Sequence, residues 1–470
     1  MTHTQQLFYL LLLSVFTVFA GYSADLDSLL AKTGLPVLYI STVNGDEPQG
    51  EPAYPPAGAW GVGLTDNEYV SGSLTIEKNG EVLYSSGEYN AGASGIRIKL
   101  RGNTSALGNG KKPYKLKLSK KCDMLFRGSS IYRYKDWVLL PAHDRKCIKT
   151  ITGFILGNSI GAGWEPGFEF VSLVINGDYK GFYLLTDAVE KNTARIEIDN
   201  TGFVIEDDAY WWNEDVYFKG NILPYPVGYT FKYPDSDDIT QGRLSDIRQY
   251  ILDFEELLLN NSDISSMIDV ESFATWLLAH DILGSGDSGG TNRYLYKYDM
   301  LPGNFTSSLM KMGILWDFDA AFKNEGKWAA IHNVDYSFYF PYLLDNNDFI
   351  KAYYCKWEEV KGSICNKIID SLHSIQHEKG EGIELCKMLD TQRWHHTNPT
   401  FASDVQFVEN WLDARIAWLE ENISDAYSSI GSIPSDDIKE QSIYTIYGVK
   451  VSEMNSPGIY IVNGRKVLVK

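Results

Sequence analysis

The chain has 470 residues, of which 44% are hydrophobic and 22% charged, a composition typical of globular proteins with more than one core. This composition excludes a disordered, collagen-like or coiled-coil protein. The 42 basic and 61 acidic residues give a formal net charge of −19, and a field of that sign repels phosphate backbones. The net charge therefore argues against broad nucleic-acid binding without a local basic patch. It does not exclude nucleotide binding, because a metal cation can screen carboxylates from phosphate.

An apolar run, LFYLLLLSVFTVFA, occupies residues 7–20 near the N-terminus. It is too short to span a bilayer and is typical of a secretory signal peptide, with Val18 and Ala20 placed as small-residue cleavage sites require. We therefore expect a signal peptide at 1–20 and an exported protein, secreted or on the cell surface; a buried N-terminal helix is the alternative. No later stretch reaches transmembrane length. The five cysteines lack CxxC spacing, which argues against a zinc cage and leaves disulfide pairing open.

The first half of the chain is predicted to be rich in strands. Asn-Gly turns at Asn79-Gly80 and Asn176-Gly177 favour hairpins, because both turn positions need φ > 0. The alternation in YKLKL places Lys115 and Lys117 on one face of a strand. Strands are indicated at 36–42, 73–86, 96–100, 114–118, 136–142, 170–190 and 202–208, with one helix at 147–161. The aromatic and acidic stretch from 210 to 233 has no clear period and is interpreted as an insertion.

The second half is predicted to be mainly helical after Gly242. Apolar residues at helical spacing indicate a helix at 247–258. A second helix is expected at about 270–283, ending in the loop GSGDSGGTN, and the region 347–425 is expected to be mostly helical. Ser403 and Gln406 form a capping box before the last helix. A Ser-, Asp- and Gly-rich linker is expected at 427–441, and the tail at 442–470 is predicted to be a separate β module with a hairpin at Asn463-Gly464.

The candidate catalytic residues lie in one Gly-rich loop and after the hairpin that follows it. Asp287 and Asn292 stand five residues apart in the Gly-rich loop after the 270–283 helix, the spacing by which protein kinases place a catalytic base and a metal-binding amide. A candidate hairpin, RYLYKY and LMKMGILW, then leads to Asp317, with Asp319 beside it. This order of helix, Asp loop, hairpin and Asp pair predicts a phosphoryl-transfer site; an Asp- and Gly-rich turn with a capping Asp is the alternative.

Phosphoryl transfer also needs cations at the phosphates. Arg101 and the strand lysines Lys115 and Lys117 are the candidates, with Lys117 preferred; a solvated strand face is the alternative for each lysine.

Five motifs in order resemble the spore coat protein H (CotH) kinase family: RGNTS with KKPYKLKL, KDWVLLPAHD, VINGDYKGFYLLTDAVE and GILWDFDAAF. The resemblance implies α+β architecture with an atypical protein-kinase-like two-lobe fold, a β-rich lobe at about 35–240 and a mainly helical lobe at about 241–426. It implies binding of ATP with Mg²⁺ or Mn²⁺, and phosphorylation of Ser or Thr on a secreted or surface protein. The tail resembles sorting-type tails of exported proteins.

The resemblance assigns roles residue by residue. It implies Asp287 as the catalytic aspartate and Asp317 as the metal-binding aspartate, and it places Asn292 at a polar loop position and Lys117 in the basic strand. With the residues considered above, the predicted metal ligands are Asp317, Asn292 and Asp319. The predicted nucleotide-binding set is Lys117, Lys115, Arg101, Lys149 and Asp187. Three positions differ from the family: Asp187 stands where Glu is frequent, Lys149 where Arg is common, and Lys323 where Gly usually follows WDFD. The alternatives are therefore a catalytically weak or inactive binding or adhesion protein on the same fold and, ranked lowest, a carbohydrate-active protein using Asp317 and Asp319.

Overall fold

The structure is a computed structural model that describes residues 26–108, 110–222, 228–286, 291–322, 330–334, 336–427, 443–445, 450–451, 458–462 and 465–469. The expected signal peptide, Asp287, Lys323, the turn at 463–464 and all but Tyr427 of the expected linker lie outside these residues. The described residues up to Glu420 form one compact unit, and those from Glu421 onward form a second. No helix in these ranges combines the length and apolarity needed to cross a bilayer.

The N-terminal part of the chain forms an eight-stranded sheet that closes into a barrel. Its strands are β1 (Val37–Thr42), β4 (Val70–Lys78), β5 (Glu81–Ser85), β6 (Ile96–Leu100), β7 (Tyr114–Cys122), β8 (Tyr134–Pro141), β9 (Phe168–Ile175) and β10 (Asp178–Asp187); the small hairpin of β2 (Glu51–Ala53) and β3 (Gly63–Thr65) lies apart from it. The strand order is β1-β9-β10-β8-β7-β6-β4-β5, and an additional β1–β4 pairing closes the barrel. Only β1 and β9 run parallel among these pairs.

Alternation along the strands fills the barrel with apolar side chains. Leu116 and Leu118 of β7 and Trp137 and Leu139 of β8 are almost fully buried in one core cluster. Lys115 and Lys117 occupy the intervening positions and therefore lie on the outer face, as the sequence predicted. Both Asn-Gly turns in the barrel have positive φ at each residue, so the two predicted hairpins are confirmed.

A second, antiparallel sheet follows in the order β12-β13-β11-β14-β15. Its strands are β11 (Phe203–Asp208), β12 (Tyr217–Phe218), β13 (Gly228–Tyr233), β14 (Arg293–Lys297) and β15 (Met310–Met312). The interpretation of 210–233 as an insertion is wrong, because β13 lies between β12 and β11 within this sheet. The predicted hairpin at 293–316 is confirmed, although its second strand ends at Met312.

The helices of the described residues are α1 (26–32), α2 (Thr104–Leu107), α3 (Lys146–Ile160), α4 (Gln241–Leu259), α5 (Val270–Leu283), α6 (Phe340–Leu343), α7 (Asn347–Val360), α8 (Ile364–Trp394) and α9 (Phe401–Ala426). The α+β prediction is thereby confirmed, with long helices concentrated after residue 241. The predicted capping box is wrong by three residues, because Thr400 accepts the backbone N–H of Ser403 at 3.2 Å.

The second unit contains a small sheet in the order β17-β16-β18-β19, made of β16 (Ile443–Thr445), β17 (Lys450–Val451), β18 (Gly458–Val462) and β19 (Arg465–Val469). β18 and β19 are antiparallel, and their register pairs Val462 with Arg465. All five cysteines are free.

Candidate functional site

The predicted loop and hairpin motifs meet at a contact between Asn292 and Asp317. The Asn292 amide Nδ2 donates a hydrogen bond to Asp317 Oδ2 at 3.2 Å, across 25 residues of chain. Asn292 immediately precedes β14, and Asp317 follows β15, so the hairpin brings both to the same end of the sheet. Amide and carboxylate oxygens are the ligands that Mg²⁺ prefers, and both residues are half-buried, so this pair fits a divalent cation.

The 313–322 segment, which contains Asp317, packs on helix α3. Gly153 of α3 faces the Phe318 ring so closely that an added Cβ atom would overlap it. Lys146, on the same helical face, forms an ion pair with Asp319 at 3.1 Å. Lys149 lies three residues after Lys146 and four before Gly153, and it therefore also faces this segment. Lys149 thus shares the helical face that contacts this segment, and Asp319 is engaged by Lys146.

The RGN turn reaches the same segment through Arg101. The Arg101 guanidinium carbon lies 5.5 Å from the centroid of the Trp316 ring, which is buried, so one cation contacts the residue next to Asp317. Arg101 is the first residue after β6, and Gly102 takes a positive φ of 74° that turns the chain there. Arg101, predicted together with Asp317 for one site from a distant motif, therefore contacts the residue that precedes Asp317 in the chain.

Four cations share the outer face of β6 and β7. Arg97 pairs directly with Lys117, and Lys99 with Lys115, in the antiparallel register. Burial, together with the charge of Lys115, lowers the pKa of Lys99. Like charges directly opposite each other destabilise a sheet, so a bound anion would reduce the repulsion between these cations. Arg97 and Lys99 also lie 5.0 and 4.9 Å from the Tyr69 ring centroid.

Lys115 has two carboxylate partners that sequence reasoning missed. Its Nζ lies 3.0 Å from Glu190 and 3.5 Å from Asp136. Although burial lowers it, the pKa of Lys115 is raised overall because these two carboxylates lie beside it. Lys117, the preferred candidate, lies opposite Asp136 across β7 and β8 but forms no ion pair within the described residues. The lysine–carboxylate pair typical of kinases therefore has its closest counterpart in Lys115 and Glu190.

Asp187 does not join these lysines. It pairs with the inward-facing Trp137 in the strand register, so it lies on the opposite side of the barrel wall. There its carboxylate binds Arg127 at 2.7 and 3.1 Å and Arg195 at 3.0 Å, and it is fully buried. The prediction that Asp187 belongs to the nucleotide-binding set is not supported by this geometry. A signal existed in the sequence, since Asp187 has the same strand parity as the core residue Leu185.

One further prediction concerns the 313–322 segment. A carbohydrate-active protein would need Asp317 and Asp319 on alternate residues of one strand, but β15 ends at Met312 and Asp317 has a φ of 63°, so this premise is wrong. Within the described residues, no group of three or more His, Cys, Asp or Glu side chains is placed to hold a metal.

The chain is thus a mixed α+β protein with a closed barrel. Its candidate site contains the Asn292–Asp317 pair, with Arg101 against the neighbouring Trp316, and the barrel separately carries a basic strand face. The family described as CotH kinase protein matches residues 98–419, which is more than half of the chain, and the protein belongs to this family. Membership suggests a kinase-like function and implies use of ATP and a divalent metal in general.

Other comparisons add little. A chain of the complex of HipA and HipB with operator DNA, from Shewanella oneidensis MR-1, is similar over 68% of each chain, with 12% identity and a TM-score of 0.28. A likeness at that TM-score supports no conclusion about this protein. No curated protein matches the chain significantly.

Proposed function

We propose that this protein is an ATP- and Mg²⁺- or Mn²⁺-dependent phosphotransferase that phosphorylates Ser or Thr on a secreted or surface protein. The observation that carries the proposal is the Asn292–Asp317 contact, because it unites the two motifs that kinases use for metal binding. Family membership supports the same reaction class.

Under this proposal, each residue has a defined task. Asp287 accepts the proton of the acceptor hydroxyl, whose oxygen then takes the terminal phosphoryl group of ATP while ADP leaves. Asp317 and Asn292 hold the divalent cation, which when bound neutralises phosphate charge. Lys115, held by Glu190, binds phosphate oxygens at the basic face of the barrel. The acceptor and the site meet outside the cytoplasm, because the apolar run at 7–20 is proposed to direct export.

A second candidate is a surface binding protein that keeps the fold but turns over slowly or not at all. The ion pair between Lys146 and Asp319 favours it, since this lysine competes with a metal for one of the three proposed ligands. Nucleotide binding alone does not separate the two candidates; phosphoryl transfer does.

The first experiment is thermal unfolding of the mature protein with and without ATP and Mg²⁺ or Mn²⁺. Ligand at a hundred times its dissociation constant adds about 2.7 kcal/mol of stability. Asp317→Asn should abolish the metal-dependent shift, whereas Asp253→Asn, on the exposed side of α4, should retain it. No shift for the wild type at millimolar nucleotide would refute the proposal. Transfer of labelled phosphate to any Ser- or Thr-containing acceptor, lost in Asp287→Asn, would favour the kinase over the binding protein.

A further inference from the structure

The backbone that carries Asp317 is held in an unfavourable conformation. Ile314 and Asp317 have φ values of 65° and 63°, and Phe322 has 62°. Left-handed backbone is unfavourable for residues other than glycine, and for a β-branched residue such as Ile314 it is a true outlier. Such a conformation persists only where surrounding groups enforce it.

One buried carboxyl group contacts this backbone directly. Both oxygens of Glu165, at 3.2 and 3.1 Å, accept the backbone N–H of Leu315, which lies between the two strained positions. Glu165 is 6% exposed and lies in the connection between α3 and β9. Burial raises the pKa of the Glu165 carboxyl well above its ordinary value, although the hydrogen bond from Leu315 opposes this rise.

Helix α3 is shaped to receive this carboxyl group. A Cβ atom on Gly157 would lie 2.5 Å from the Glu165 carboxyl carbon, a distance that real contacts do not reach. Glycine within a helix lowers helix stability relative to alanine, so its presence at 157 leaves the space that Glu165 occupies. Gly153, on the same face of α3, makes room for the Phe318 ring. This face of α3 therefore contacts Phe318, which follows Asp317, and Glu165, which binds the backbone of Leu315 before Asp317.

We propose that Glu165 is a positioning residue that fixes the backbone at Leu315 and thereby the direction in which Asp317 presents its carboxylate. The consequence for metal binding rests on the proposed function, in which Asp317 is a ligand. Residues that orient a metal ligand in this indirect way change metal affinity by about 10- to 100-fold when replaced.

Two replacements separate hydrogen bonding from volume. Glu165→Met keeps the buried volume and removes the acceptor, whereas Glu165→Gln keeps both. The matched control is Glu255→Met. Glu255 is also a buried carboxyl, and it accepts the backbone N–H of Asn221. Glu255 also accepts the hydroxyl of Tyr339, and none of its partners belongs to the 313–322 segment.

The first readout is hydrogen–deuterium exchange of the full chain without ligand. We expect Glu165→Met to accelerate exchange in peptides that cover 313–322 by about tenfold or more, while Glu165→Gln stays close to the wild type and Glu255→Met leaves this segment unchanged. Equal exchange in Glu165→Met and the wild type would overturn the proposal, and so would faster exchange spread evenly over the chain. Loss of protection in Glu165→Gln would overturn the role of the acceptor.

The second readout is the Mn²⁺ concentration that produces half of the ATP-dependent melting shift. It should rise by about 10- to 100-fold in Glu165→Met and change little in Glu165→Gln or Glu255→Met. An unchanged midpoint in Glu165→Met would overturn the link to Asp317. If the wild type shows no shift while the exchange results hold, the proposed function fails and the positioning of the segment stands. Should Glu165→Met not fold, Gly157→Ala tests the same contact by displacing the carboxyl group.

Discussion

Replacement of Asp187 tests whether this carboxylate stabilises the barrel or binds the nucleotide. Its side chain is fully buried and bridges Arg195, which is 5% exposed, and Arg127, at distances of 2.7 to 3.1 Å; it also accepts the backbone N–H of Gly167. Removing one partner of a buried ion pair costs about 3–5 kcal/mol, because a charge is left without compensation. We therefore expect Asp187→Ala to lower the free energy of unfolding by about 3–5 kcal/mol. Asp187→Asn should cost about 1–3 kcal/mol, since the amide oxygen still accepts a hydrogen bond.

Urea-induced unfolding, followed by circular dichroism, measures both variants. The same strand supplies the control: Asp178, at the other end of β10, is half-exposed and pairs with Lys180 and Arg393, so Asp178→Ala should cost less than about 1 kcal/mol. The ATP-dependent melting shift of a folded Asp187→Asn protein should persist. A variant with wild-type urea stability that no longer responds to ATP and Mn²⁺ would refute this reasoning and return Asp187 to the nucleotide-binding set.

Three further predictions concern the phosphate partner, a helix cap and a buried carboxyl. Lys115→Met should lower the apparent affinity for ATP, read from the ATP-dependent melting shift, by about tenfold or more. Lys117→Met should have the smaller effect, because of these two lysines only Lys115 has the paired carboxylate that kinases use. Thr400→Ala should lower the stability of the α9 region by about 1 kcal/mol in thermal unfolding, whereas Ser403→Ala should be nearly neutral. Burial, and then the charge of Glu206, raises the pKa of Asp208 to about 7. Folding therefore takes up a proton, and the free energy of unfolding should fall as pH rises from about 4 to about 7. Asp208→Asn should make this fall smaller when stability is measured by urea unfolding at each pH.

Much of the fold could be predicted because its signals are local. The Asn-Gly turns require positive φ, and the helix expected at about 270–283 coincides with α5 (Val270–Leu283), which ends at Gly284. Strand β13 was missed because its residues Gly228–Phe231 are all buried, so both faces are covered and no polar alternation marks it. The cap of α9 was misplaced because only Ser403 has a Gln three residues later, whereas Thr400, which also belongs to a residue type that caps helices, is the observed cap. Phe401 is buried against Phe170, so the helix starts earlier.

The candidate site was predictable as a set of motifs but not as a set of contacts. Sequence order was enough to expect Asp317 near Asn292, because a hairpin returns its two ends to one place. Sequence order could not distinguish Lys115 from Lys117, because both lie on the same face of β7 and the residues around them come from other segments. Glu190 becomes a partner only because the chain leaves β10 on the outer side of the barrel.

The departure at Asp187 therefore bears less on catalysis than the sequence indicated. A shorter carboxylate there would weaken a kinase site only if it paired with the phosphate-binding lysine, and in this fold it pairs with two arginines on the inner side. Lys115 obtains its carboxylate from Glu190 instead. Under the proposed function, the more consequential contact is that between Lys146 and Asp319, because a cation bound by Asp317 would compete with this lysine for the second carboxylate. Catalytic competence thus depends on α3 and the 313–322 segment more than on the end of β10.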